Sequence, residues 1–191
     1  MSTTPWFVLP LAIASVSAPA LSPPEAGALL QGRYDNRAQV AAAAAAAPGA
    51  VPHVSVAIEP TAQPDWTLWR VHLEADAEHA FDQTWAMQTR TEYDGSTALI
   101  PYYPYKPAAA PSAATFDPQG WLSLEACALR GAAAPQRIQG MSEGEPCVAV
   151  TMSLGPLRAL LPVGLDREGD RLQLDLNYRG ARTRIDARRE P

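Results

Sequence analysis

The sequence predicts a mainly β fold: an antiparallel sheet that closes into a barrel, preceded by an N-terminal helix. Three observations lead there. From His53 onward, apolar and polar residues alternate with a period of two, as strands with one buried face require. Turn signals interrupt the alternation at short intervals, at Asp94-Gly95, Gly155-Pro156 and Arg179-Gly180. The chain also carries 19 prolines and 12 glycines, too many punctuating residues for a helical bundle.

The elements follow in order. Pro23-Pro24-Glu25 precedes a short apolar stretch, Ala26 to Leu30, which suits one or two helical turns. Asp35 or Asn36 is placed to cap a helix running through Val40 and the alanines at 41–47, and Pro48-Gly49 ends it. Polyalanine has no amphipathic face, so this helix is expected on the surface. Val54, Val56 and Ile58 then alternate with Ser55, Ala57 and Glu59. Trp69, Val71, Leu73 and Ala75 alternate with Arg70, His72, Glu74 and Asp76. Thr84 to Tyr93 and Ser96 to Tyr103 flank the hairpin signal Asp94-Gly95. Residues 104–120 are rich in Pro, Ala and Ser and read as a long loop. Val148, Val150, Met152 and Leu154 form another alternating run. Leu157 to Leu165 follows, Asp166 to Asp170 turns the chain, and Leu172 to Tyr178 and Arg182 to Ala187 complete the set. About eight or nine short strands with hairpin connections suit a sheet closed on itself, because closure removes exposed edges.

Length and charge bound the function. The chain has 191 residues, enough for one domain over residues 21–191. Its net charge is -5, and a general nucleic-acid binder would carry a basic surface, so no nucleic-acid partner is expected. Residues 1–20 contain no charged side chain; the apolar run Trp6 to Val16 leads into Ala18-Pro19-Ala20, which fits signal-peptidase cleavage after Ala20. That run is shorter than the roughly 20 residues a membrane-crossing helix needs. No membrane span is expected in the mature chain, and its location is expected to be periplasmic or secreted. In such a compartment the pair Cys127 and Cys147 reads as a disulfide on neighbouring strands.

Short motifs along residues 29–178 resemble the CpcT/CpeT family of phycobiliprotein chromophore lyases. The family's Gly-x-aromatic-x-Asn-x-x-Gln is matched by Gly32, Tyr34, Asn36 and Gln39. Its strand from a histidine to a proline is matched by His53 to Pro60, and its Leu-aromatic strand start by Leu68-Trp69. Its cysteine pair is matched by Cys127 and Cys147. Where the family carries Tyr-Arg-x-Arg, this chain has Ala80 to Trp85 without the arginines. The resemblance implies a calycin-like β-barrel related in shape to lipocalins, with a bilin, a linear tetrapyrrole, held in the cavity and delivered to an acceptor protein. The ligand-binding residues it implies are Tyr34, Asn36, Gln39, His53, Trp69, Phe81 and Trp85. Residue by residue, other roles stand beside this one. The aromatics also suit plain core packing, Asn36 and Gln39 also suit holding a helix against the barrel, and His53 also suits a hydrogen-bonded strand start.

Other chemistry finds little support. His72, Glu74, Asp76 and Glu78 share a strand face and are the densest set of candidate metal ligands, but the opposite face is apolar, so this set faces solvent and no metal is expected. No Gly-x-Ser-x-Gly elbow is present. Arg179, Arg182, Arg184, Arg188 and Arg189 suit a charged edge strand. Two other functions stay open beside the lyase-like one: a non-catalytic exported, lipocalin-like protein for another apolar small molecule, and a structural barrel with a filled interior.

Overall fold

The computed structural model describes residues 21–45, 51–76, 79–105 and 112–191. The expected leader, residues 1–20, lies outside the described residues. The chain runs α1 (Pro23–Leu30), β1 (Gly32–Asp35), α2 (Arg37–Ala44), β2 (His53–Pro60), β3 (Trp66–Asp76), β4 (His79–Thr91), β5 (Thr97–Pro104), β6 (Trp121–Ser123), β7 (Leu129–Ala134), β8 (Arg137–Met141), α3 (Gly144–Thr151), β9 (Gly164–Glu168), β10 (Arg171–Tyr178) and β11 (Ala181–Arg189). Short 3-10 turns lie at Ala113–Thr115, Pro118–Gly120 and Glu125–Cys127, and Met152–Leu160 holds two more, separated by a kink at Gly155.

Ten strands close an antiparallel barrel in the order β4-β3-β2-β1-β11-β10-β9-β8-β7-β5, with β5 returning to β4. The expected barrel and its preceding helix are therefore present. β5 divides its outer edge: Thr97 to Leu99 pairs with β7, and Tyr102 to Pro104 pairs with β6. Its other edge pairs with β4 only up to Ala86↔Tyr102. Beyond that point β4 keeps β3 alone as ladder partner, and the wall splits. The Trp85 and Tyr103 rings face each other there at 6.0 Å between centroids.

The alternation places Val54, Val56, Ile58, Trp69, Val71, Leu73, Leu172, Leu174 and Leu176 in one inner cluster. Leu160 and Leu161 join it from the segment after α3, and Leu30 and Ala26 from α1. Side chains from the wall and from these two segments thus pack together inside the barrel. A second small cluster lies on the outer face: Trp66, Leu68, Ala86 and Phe116, with Tyr102 and Trp121 against them. It explains why Leu68, on the outward parity of β3, is fully buried. Residues 112–120, within the stretch 104–120 expected as loop, carry two 3-10 turns and supply Phe116 to this cluster.

α2 is a surface helix with no buried residue, as polyalanine suggested. Asn36 stands at its N-cap position, but its side chain faces β2: Nδ2 donates to Pro52 O at 3.0 Å and Oδ1 accepts from the Val54 N–H at 2.7 Å. Gln39 ties α2 to β11, donating to Arg184 O and accepting from the Asp186 N–H, both at 2.9 Å.

Three expectations are corrected. Leu157 to Leu160 is helical rather than the start of a strand, and Asp166 lies inside β9 rather than in the turn. The run Val148 to Leu154 is helical, not a strand. Cys147 and Thr151 are buried four residues apart while Val148 and Val150 are exposed, the period of a helix. The Thr151 hydroxyl donates back to Cys147 O at 2.7 Å. The Cys127–Cys147 disulfide is formed, with Cα atoms 4.5 Å apart, but it joins a 3-10 turn to α3 rather than two strands. Between the cysteines lies a hairpin the alternation did not reveal, β7–β8.

Asp175 on β10 is buried and accepts from Arg182 and Arg184 of β11, with Arg184 Nε at 2.9 Å from Oδ1. Gly164 leaves room for this stack, since a Cβ there would lie 2.8 Å from Asp175 Oδ2. Hydrogen bonding from Arg184 outweighs burial and, with Arg182, holds the Asp175 carboxyl below its ordinary value of 3.8. A carboxyl depressed on folding contributes stability above its unfolded pKa and loses it as pH falls through the folded value. Urea unfolding between pH 5 and pH 2 is therefore expected to show a steeper acid loss for the natural chain than for Asp175→Asn. Equal slopes would assign the acid sensitivity to other groups.

Candidate functional site

The outer face of β1 to β4 carries polar residues because the inner face takes the apolar ones. Register aligns them in rows. Arg33, Ala57, Arg70 and Thr84 form one cross-strand row, and Asp35, Ser55, His72 and Asp82 form the next. All eight line one groove with a volume of about 1110 Å³. Tyr103, Pro104 and Tyr105 at the end of β5, with Gly120 and Trp121 at the start of β6, form an aromatic wall beside it. Arg37, Leu157 and Glu190 lie on the rim, and Tyr34, Val56, Val71 and Gln83 line the groove as well. The groove opens where β4 loses β5, so the split in the barrel wall positions the site.

Its charges are mixed and mostly paired. His53 stands beside the row with Nε2 2.8 Å from Asp35 Oδ2 and Nδ1 3.3 Å from Glu74 Oε2, which commits both ring nitrogens. It thereby cross-links β1, β2 and β3. Burial pushes the Asp35 carboxyl up, but hydrogen bonds from His53 and the Arg37 N–H, with the charges of both residues, hold it below 3.8. Arg70 pairs with Glu59, and Arg37 lies 3.6 Å from Asp35. Arg33 makes no side-chain ion pair or hydrogen bond among the described residues. His72 Nδ1 lies 2.8 Å from Asp82 Oδ1, while the half-buried Ser55 has no side-chain hydrogen bond among the described residues.

The residues named from sequence fall in different places. Tyr34 lines the groove, with its hydroxyl donating to Leu30 O at 3.0 Å. Asn36 and Gln39 lie under and beside α2, bonded to backbone. His53 flanks the groove floor. Trp69 and Trp85 are fully buried in the inner cluster, and Phe81 packs half-buried against it. The groove takes in Tyr34, Val56 and Val71 of the inner cluster and Tyr103 and Leu157 packed against it, so it is not confined to the outer wall.

Arg33, Ser55, Arg70 and Asp82 were not singled out from sequence. The outward parity of Ser55, Arg70 and His72 was readable, and the strand register that assembles them was not. His72 and Glu74 face outward as expected. No group of His, Cys, Asp and Glu fit to hold a metal ion occurs among the described residues. No described helix is long and apolar enough to cross a membrane. No protein-family model, curated protein or solved structure matches this chain.

Proposed function

We propose that this chain is a binding protein for an amphipathic small molecule carrying a carboxylate, held in the groove outside β1 to β4. One observation carries the reading: a groove of about 1110 Å³ combines an aromatic wall with Arg33, a cation that has no partner among the described residues. Ligand sites pair a largely apolar lining with a few placed polar groups, and this one does so. A bilin is the first ligand to test. It is flat and apolar with two propionates, and Arg33, Arg37 and Arg70 offer cations that the missing Tyr-Arg-x-Arg pair does not. A lyase-like role follows from the same pose, because a bilin in an open groove is accessible to an acceptor protein's cysteine. The disulfide supports a periplasmic or secreted location, where oxidised cysteine pairs persist.

The test is a spectral titration of the disulfide-intact chain with biliverdin and, in parallel, with a fluorescent long-chain carboxylate. Saturable binding of at least one is expected. Arg33→Gln should weaken it by about tenfold or more, the worth of a hydrogen bond to a charged group, with thermal melting unchanged. Absence of binding for both ligands at tens of micromolar would overturn the reading.

A further inference from the structure

We propose that Ser55, His72 and Asp82 form an acyl-transfer site that hydrolyses esters of the amphipathic carboxylic acids the groove binds. The inference rests on the binding reading above and adds a reaction to it. Ser55 is paired in register with His72, and His72 with Asp82, so the three side chains sit side by side on one face of three strands. Directly opposed residues in an antiparallel pair hold their Cβ atoms about 4.5–5.5 Å apart, within reach for a serine hydroxyl and an imidazole.

The His72–Asp82 contact sets the chemistry. Nδ1 lies 2.8 Å from the Asp82 carboxylate. An ionised carboxylate only accepts, so Nδ1 carries a hydrogen, and in the neutral ring Nε2 is then the nitrogen with the lone pair. That is the tautomer a general base needs. The Ser55 hydroxyl, half-buried in the groove floor, makes no side-chain hydrogen bond among the described residues, to His72 or to any other group, so the Oγ–Nε2 contact is one that substrate binding has to close. No strained elbow presents this serine; a strand does, and the groove gives the substrate its access.

The reaction balances without a cofactor. Ser55 Oγ attacks the ester carbonyl carbon as His72 Nε2 takes the hydroxyl proton. The carbonyl oxygen becomes an oxyanion, and Arg33, in the neighbouring row and uncommitted, is the cation placed to meet it. The C–O bond to the alcohol breaks as His72 returns the proton to the leaving oxygen, leaving acyl-Ser55. Water then attacks the acyl carbon, His72 accepts its proton and passes it to Ser55 Oγ, and the carboxylic acid departs. The product is the same carboxylate that the binding reading places on Arg33.

The experiment treats the full chain with a fluorophosphonate probe and locates the label by peptide mass spectrometry. It is paired with hydrolysis of p-nitrophenyl butyrate and with binding of the fluorescent carboxylate. Labelling at Ser55 is expected, with hydrolysis reduced at least 100-fold in both Ser55→Ala and His72→Gln, while both variants melt as the natural chain does. Carboxylate binding without labelling or hydrolysis overturns the acyl-transfer site and leaves the binding reading standing. A label on any other serine, or hydrolysis that survives Ser55→Ala, also overturns it. Labelling at Ser55 without carboxylate binding supports the site and removes the binding reading.

Discussion

Trp85→Ala is expected to lower the unfolding free energy by roughly 3–5 kcal/mol, the cost of truncating a fully buried tryptophan. The side chain is completely enclosed, lies opposite Trp69 in the β3–β4 register and faces Tyr103 across the split in the wall. Its Nε1 donates to Leu160 O at 3.1 Å. Truncation therefore opens a cavity and also strips a buried carbonyl of its donor. Chemical denaturation gives the magnitude, and ligand titration gives the second half of the prediction: affinity in the groove falls by no more than about tenfold, because Trp85 does not line the groove and reaches it through the Tyr103 ring. A variant that keeps its stability but loses ligand would instead place the binding site inside the barrel.

Removing the Cys127–Cys147 link is expected to cost roughly 3 kcal/mol in the chain-entropy description for a closed loop of this size. The loop holds the β7–β8 hairpin and the start of α3. The bond anchors α3, and the segment that follows delivers Leu157 to the groove rim and Leu160 to the inner cluster. Cys127→Ser/Cys147→Ser should therefore melt about 6–12 °C below the natural chain, at roughly 2–4 °C per kcal/mol for a domain of this size. Affinity in the groove should fall with it. Melting unchanged by a reducing agent would show that packing of Leu157 and Leu160 alone fixes this segment.

Much of the barrel was legible because strands buried on one face advertise it. Val54, Val56 and Ile58 enter the core and Ser55 and Ala57 do not, as their alternation states. Asp94-Gly95 turns β4 into β5 with Gly95 at φ 82°, a conformation glycine adopts without strain. The β7–β8 hairpin escaped because Gly131, the alanines 132–134 and Gly140 have weak strand propensity. Gly131 is there for space: a Cβ would lie 2.1 Å from Gln139 O. The run from Val148 misled because its apolar residues recur every second position but are the exposed ones, while the buried Cys147 and Thr151 set the true period.

The site was less legible than the fold, for a different reason. Alternation says that Trp69 and Trp85 point inward; it does not say whether the interior is empty. That depends on Leu30, Leu160 and Leu161, which arrive from elements distant in sequence. The groove in turn depends on pairing β1 with β2, β2 with β3 and β3 with β4 in one particular register. A slip of one residue would turn Ser55 or His72 to the other face.

The seam between β1 and β11 has a kinetic consequence. Tyr34 pairs with Arg189 and Asp35 with Arg188, so the first strand of the ring finds one of its two neighbours only in the last. Gln39 holds the same junction through Arg184 and Asp186. Loop-closure entropy for such a contact is met only when nearly the whole chain is available. The meander β8 to β11 and the sheet β1 to β4 can each form from local hairpins, but circular closure waits for the C-terminal strand. Folding is thus a late, ring-closing event dominated by non-local pairing, which places this chain among the slower-folding topologies. Until that event both β1 and β11 remain open edges on which another chain can pair.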